Sequence, residues 1–386
     1  GKPEALFLLE RLVDIAAHET GRSPIELRRL NLLRPEDMPY AAASGYTYDA
    51  ADCSRLFETA LRQADVPGFE ARRTASEAAG KRRGLGLSCH LHGTGGIADE
   101  HVVVQVEPDR LVARLGTQSQ GQGHETVFAQ ILSAALSVPV ERIEIRQGDT
   151  QSIPRGGGTG GSSSTIISGT TLTRAADVVI QRGRDLAAER LEAAPADIAY
   201  RDGAFEVVGT DRRVGLFELA AWKPFDGDAV FADKIEAFPT GVMVCEVEVD
   251  TDTGVTRIDR FTAVADTGVV VNPRLLAGQM HGGIVHGLGN ALMEEAVYDE
   301  ATGQLLSGTL MDYALPRADD VPDLRVETIS TPSPNNFLGL KGMGELPTNG
   351  APAALGNAIL DALRPLGVRH IDMPITAHKI WKALNQ

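Results

Sequence analysis

Gly339-Leu340-Lys341-Gly342-Met343-Gly344-Glu345-Leu346-Pro347 places one carboxylate, Glu345, behind three glycines and ahead of a proline. Glycines at this density permit torsions and close approaches that a side chain forbids. A carboxylate on such a loop can be pressed against a bound group, and a general base must lie within hydrogen-bond reach of its proton. A surface turn that happens to carry a glutamate is the competing reading. Two more glycine-rich stretches weigh against it: Thr117-Gln118-Ser119-Gln120-Gly121-Gln122-Gly123, and residues 155–165 with Gly160, Gly161, Ser162, Ser163, Ser164 and Thr165. Each leads into a helical pattern, and a helix start behind a glycine loop offers unpaired N–H groups to an anion. The 155–165 hydroxyls can wrap phosphate without lysine. No Gly-Lys-Ser/Thr closes that loop, so it is not a Walker loop, and the dinucleotide fingerprint is missing too. A flexible Ser/Gly linker is the alternative there. Gln118, Gln120 and Gln122 are amides suited to a ring system of mixed donors and acceptors, or else a polar strand end.

Composition narrows the function classes. The 386 residues carry a formal net charge of -15, which disfavours a nucleic-acid or anionic-membrane surface. Cys53, Cys89 and Cys245 lie far apart, which argues against a disulfide scaffold, a Cys-ligated zinc or an iron–sulfur site in this chain. His281 and His286 are not at metal-ligand spacing, and His90 with His92 makes only a weak pair. No apolar run reaches spanning length and the start is no signal peptide, so no membrane span and a cytoplasmic location are expected.

The periodicities predict an α+β chain. Residues 1–83 read as a helical lead-in, with Leu6, Leu9, Val13, Ala16 and Ala17 as an apolar face and Lys81-Arg82-Arg83 as solvated surface. Two related α+β units are expected at 84–235 and 236–386. The first holds strands at 84–91, 101–107 and 110–116, a helix to Leu136, and another to Leu191. The second opens with a hairpin, Val242–Asp250 and Val255–Ala265. Asn272-Pro273 then caps a helix to Glu295, a strand runs to Tyr313, a proline-punctuated loop follows, and Pro352 starts a helix to Leu363.

Residues 116–126, 157–165, 279–289 with Glu294-Glu295, Tyr313-Ala314-Leu315-Pro316-Arg317 and Gly342-Met343-Gly344-Glu345 together resemble the molybdenum hydroxylases. That family comprises xanthine dehydrogenase, aldehyde oxidase and carbon monoxide dehydrogenase. The resemblance is to the molybdopterin-binding large subunit and covers essentially the whole chain. It implies a molybdenum ion on molybdopterin, often extended as the cytosine dinucleotide, with Glu345 matching the catalytic glutamate of Gly-x-Gly-Glu. Gln122 matches a pterin-contacting glutamine, flanked by Gln120, Gly121 and Gly123. Residues 160–165 look like the nucleotide cradle, and Lys341 and Gly344 adjoin the cofactor. His286 stands where the family usually has glutamine.

The start, Gly1-Lys2-Pro3-Glu4-Ala5, resembles the residues after an Arg-Gly-rich loop near the metal. The domain that would precede it is missing from this sequence, so the large subunit is expected to be either split between two chains or cut, with an obligate partner carrying its N-terminal half. Electrons would leave through [2Fe-2S] and FAD groups on an iron–sulfur subunit and a flavin subunit. The implied activity is hydroxylation of an aldehyde or N-heteroaromatic substrate with water as oxygen source. A catalytically silent relative and a carbon monoxide dehydrogenase-type fragment are the alternatives; the copper-binding cysteine loop of the latter would lie upstream.

Overall fold

Residues 242–249 are apolar on one face and partly apolar on the other, so the strand they form has to be covered on both. In the computed structural model, which describes residues 1–97, 99–153 and 155–386, that strand is the middle of three layers. The chain opens with α1 (Lys2–Glu19), α2 (Pro24–Asn31), a small ladder of β1 (Tyr40–Ala41) and β2 (Thr47–Tyr48), α3 (Cys53–Gln63) and α4 (Phe69–Ala78). It continues with β3 (Lys81–Leu91), β4 (Thr94–Ile97), β5 (Glu100–Val106), β6 (Leu111–Leu115), α5 (His124–Leu136), β7 (Ile143–Gln147) and α6 (Ser164–Leu191). A peripheral sheet of β8 (Ile198–Arg201), β9 (Ala204–Val207) and β10 (Arg213–Gly215) precedes α7 (Leu216–Trp222), β11 (Phe225–Phe231) and β12 (Lys234–Ala237). The last third holds β13 (Thr240–Asp250), β14 (Thr256–Asp266), α8 (Pro273–Leu292), β15 (Leu324–Ile329), α9 (Leu346–Leu363) and α10 (Ala377–Leu384).

Two four-stranded sheets repeat one plan. In order β11-β5-β6-β7, the hairpin β5–β6 is antiparallel, β7 is parallel to β6, and β11 pairs on the outer edge of β5. In order β15-β14-β13-β3, the hairpin β13–β14, parallel β15 and outer β3 do the same. In both, one helix (α5 or α8) follows the hairpin and a second (α6 or α9) follows the parallel strand. The second helix lies against the outer strand at glycines. A Cβ on Gly227 would stand 2.3 Å from the Ala175 carbonyl oxygen, and one on Gly86 would stand 2.1 Å from that of Ala354. Val102, Val104, Leu111 and Leu115 meet Phe128, Leu132, Leu172 and Val179 in the first core. Met243, Cys245, Val247 and Val249 meet α8 and α9 in the second, while Val242 and Val244 face Leu56 and Phe57 of α3.

Several expectations need correction. The division at residue 84 does not follow the sheets, because β3 pairs along its length with β13 of the later unit. Arg83 is not solvated surface: it lies within 2.6 Å of Glu246, 2.8 Å of Asp259 and 3.2 Å of Glu248, whereas Lys81, paired with Asp250, and Arg82 stay 36% and 35% exposed. Acids on the neighbouring strands draw the Arg83 cation in. No strand runs to Tyr313; β15 lies instead in the proline-punctuated stretch, held by pairing to β14. The last long helix starts at Leu346 rather than Pro352, with Pro347 in its first turn and Pro352 inside it.

α1 forms where its periodicity predicts, but only part of its expected apolar face is covered: Ala17 is buried and Leu6 and Val13 are half-buried, while Leu9 and Ala16 are exposed. Glu10, Arg11 and Asp14 are buried, whereas Leu8, Leu9 and Leu12 are 60%, 58% and 51% exposed. Arg28 of α2 binds Glu10 at 2.6 Å and Asp14 at 2.7 Å, and Arg11 donates to Asn357 of α9 at 2.7 Å. Ion pairs and an amide dock this helix together with Phe7, which lies against Gly356 of α9, and the buried Ala17.

Candidate active site

The repeated plan brings four helix starts around one cavity of about 600 Å³. It is lined by Gln120, Gly121, Gln122 and His124 at α5, and by Thr159 to Ser162, Ser164 and Thr165 at α6. Thr267, Val269 to Asn272 and Gln279 line it at α8, and Leu340 to Glu345 at α9. Asn272 caps α8 by accepting from the Leu275 N–H at 3.0 Å. The other three helices have no side-chain cap at Gly123, Ser163 or Glu345. At α5 and α6 the first-turn N–H groups are left for another acceptor, whereas at α9 the Leu346 N–H donates to the Met343 carbonyl at 3.0 Å and Pro347 has none.

The loops are stitched to one another. Thr159 Oγ1 donates to the Gln118 carbonyl at 2.6 Å and accepts from its N–H at 3.2 Å. A Cβ on Gly342 would stand 1.6 Å from the Ser162 carbonyl oxygen, so only glycine lets the two loops meet there. Ser162 Oγ accepts from the Glu345 N–H at 3.0 Å and donates to Glu345 Oε2 at 2.9 Å. His92 Nε2 is 3.4 Å and Lys2 Nζ 3.7 Å from the same oxygen. The hydrogen bond from His92, then that from Ser162 and the Lys2 charge, hold the Glu345 carboxyl at about 2 against the desolvation that would raise it.

The expected residues separate into groups. Gln120, Gly121, Gln122, Gly160, Gly161, Ser162, Ser164, Thr165, Lys341, Gly344 and Glu345 all reach the cavity wall. Gly123 and Ser163 act as the N-caps behind it. His286 is on the exposed face of α8, away from the lining residues. Lys341 reaches the cavity without its ammonium, which is fully buried and bonded to Asp266 at 2.8 Å and the Ala50 carbonyl at 2.6 Å. Asp266 also accepts from the N–H groups of Gly268 and Thr331 at 3.0 and 2.9 Å. That pair braces the loop and offers no charge to a ligand. His92, Thr267 and Asn272 are not site candidates in the sequence, since nothing in their spacing links them to Glu345, and Gln279 enters only as the first residue of the 279–289 stretch.

The donor set suits a large anionic group. Ser164 Oγ and Thr267 Oγ1 are buried with no hydrogen-bond partner in the protein, and both residues line the cavity. Buried hydroxyls normally find a partner, so a ligand is the natural one. The uncapped starts of α5 and α6 and four lining amides, Gln120, Gln122, Asn272 and Gln279, add polar anchoring. Fold and site together define a duplicated α+β protein built to hold an extended cofactor between its halves.

Comparison with known proteins identifies that cofactor class. The family described as molybdopterin cofactor-binding domain matches residues 59–322. The chain is 33% identical to the carbon monoxide dehydrogenase large chain of Hydrogenophaga pseudoflava, covering 99% of this chain and 51% of that one. It is 36% identical to subunit gamma of the 6-hydroxypseudooxynicotine dehydrogenase complex of Paenarthrobacter nicotinovorans, covering 99% and 50%. The solved quinoline 2-oxidoreductase of Pseudomonas putida 86 superposes with a TM-score of 0.89 at 34% identity, over 99% of this chain and 52% of that one. The chain belongs to the molybdenum hydroxylase family, in its molybdopterin-binding part. It spans about half the length of these relatives. Among the described residues no helix is long and apolar enough to cross a membrane.

Proposed function

We propose that this chain forms the Glu345-bearing half of a molybdenum hydroxylase active site, oxidising an aldehyde or N-heteroaromatic carbon with water as the oxygen source. The observation that carries this is the convergence of the 117–123, 155–165 and 339–345 loops on one cavity with Glu345 in its wall. The names of two relatives, a quinoline oxidoreductase and a dehydrogenase of a nicotine derivative, favour the heteroaromatic class.

Ser164, Thr267, Gln120, Gln122 and the N–H groups opening α5 and α6 would hold a molybdopterin, with the cytosine dinucleotide extension against residues 160–165. When bound, that cofactor supplies the two-electron redox centre and the transferred oxygen. Glu345 takes the proton released as the carbon–oxygen bond forms. Its carboxylate is ionised throughout the physiological range, and like charge brought beside it moves its pKa up from about 2 toward a more effective base. The Lys341–Asp266 brace fixes the loop that aims it.

Two electrons must then leave the site. Cys53, Cys89 and Cys245 are free and scattered, which favours iron–sulfur centres outside this chain, and a flavin group is assigned with them from the family resemblance. The exposed Leu8, Leu9 and Leu12 of α1 offer an apolar contact face for the part of the relatives that this chain does not span. Glu345→Gln in the assembled enzyme tests the assignment. Molybdenum and pterin content should stay normal while turnover per molybdenum falls by about 10²–10⁴-fold. Full turnover in that variant contradicts it.

A further inference from the structure

His92 follows β3 directly, and its side chain is 1% exposed. Asn349, in the first turn of α9, donates from Nδ2 to His92 Nδ1 at 3.1 Å. A ring nitrogen that accepts carries no proton, which assigns the ring proton to Nε2. Nε2 lies 3.3 Å from Ser162 Oγ and 3.4 Å from Glu345 Oε2. Ser162 holds its own two bonds to Glu345 from a left-handed φ of 54°. A residue with a side chain stays in that region only when its surroundings fix it there. The groups facing the carboxylate are thus His92 after β3, Ser162 before α6 and Lys2 of α1, and all three approach Oε2. Oε1 has no protein partner among the described residues.

We propose that His92, anchored by Asn349, is a positioning residue that pins Glu345 Oε2 and leaves Oε1 as the oxygen that accepts the proton. The inference rests on Glu345 serving as the base. A carboxylate held through one oxygen cannot turn its other oxygen away from the cavity, so reaction geometry is set before substrate arrives. Losing the His92 N–H also removes the leading contribution that keeps this carboxyl acidic.

The test compares His92→Phe, which deletes the donor, with His92→Gln, whose amide N–H can replace it, in the assembled protein. Infrared difference titration reads the Glu345 carboxylate directly, with Glu345→Gln as the blank. The acid limb of kcat/KM is read alongside. In His92→Phe both should move up by about one pH unit or more, with kcat lowered and KM little changed, and His92→Gln should return both toward the parent. An unmoved carboxylate titration in folded His92→Phe overturns the proposal. If His92→Phe does not fold, Asn349→Ala frees the ring and carries the same expected shift and the same refutation. If Glu345→Gln keeps its turnover, the base assignment fails and the positioning role falls with it. The infrared titration still decides separately whether His92 holds the carboxylate.

Discussion

In the first unit the loop opening α6 carries four hydroxyls at residues 162–165 and no acid, whereas the matching loop opening α9 carries Glu345 and no hydroxyl before Thr348. The spatial order of strands on either side is the same, down to glycines that let α6 and α9 lie on their outer strands, although β11 follows its hairpin in the chain and β3 precedes its own. Each unit also braces its loops with a buried carboxylate. Glu100 accepts from the Gly116 and Thr117 N–H groups at 3.1 and 3.3 Å and from Ser168 Oγ at 3.1 Å, with no ion pair to it among the described residues. Asp266 accepts from two N–H groups and from the Lys341 ammonium. In the proposed reading the duplicated scaffold divides the labour unevenly: most of the binding hydroxyls come from the first half, while the second adds Thr267 and presents Glu345 on a loop tied down by an ion pair.

The largest stability effect should come from breaking that ion pair. Lys341→Met leaves Asp266 charged, buried and without its cation, and should cost about 3–5 kcal/mol in denaturant unfolding. A loss below about 1 kcal/mol would show that the second unit does not rely on its brace.

Ser164→Val should sharpen the division between binding and reaction. Its hydroxyl is buried without a protein partner, so its removal should weaken cofactor retention by roughly tenfold, measured as molybdenum per chain. Turnover per bound molybdenum should stay unchanged, the reverse of Glu345→Gln.

Glu100 tests the brace of the first unit through pH. Burial pushes its carboxyl up from the ordinary 4.5, despite the three donors it accepts from. A folded acid that titrates high keeps its proton while the unfolded chain has already lost it, so stability falls as pH rises past about 4.5. Urea unfolding across pH 4 to 7 should show that decline in the parent and not in Glu100→Gln. An identical slope in both would remove Glu100 as the cause. The smallest effect belongs to His286→Gln, which should leave stability within about 0.5 kcal/mol and cofactor content unchanged, since the residue is exposed and away from the cavity.

Much of this architecture was legible as pattern. The hairpin at 242–265, the Asn272-Pro273 cap and the helices after glycine loops follow from local chemistry, and the structure places them within a few residues of expectation. What local pattern could not carry was charge met from elsewhere in the chain. Arg83 looks like surface until Glu246 and Asp259 arrive on neighbouring strands, and Glu10 and Asp14 look exposed until Arg28 folds back on them. Lys341 and His92 belong to the same class. Each reads as a cavity ligand or a stray histidine, and only contacts with residues far away in sequence make one a brace and the other a partner of Glu345. β15 was hidden because its pairing with β14 outweighs the prolines around it.

The most direct measurement is a density map of the assembled, cofactor-loaded protein around the four helix starts. The account predicts a pterin and its extension running between Gln122, Ser164 and Thr267, with Glu345 Oε1 turned toward the metal end. A cofactor bound elsewhere, or a Glu345 carboxylate facing away from it, would contradict the account.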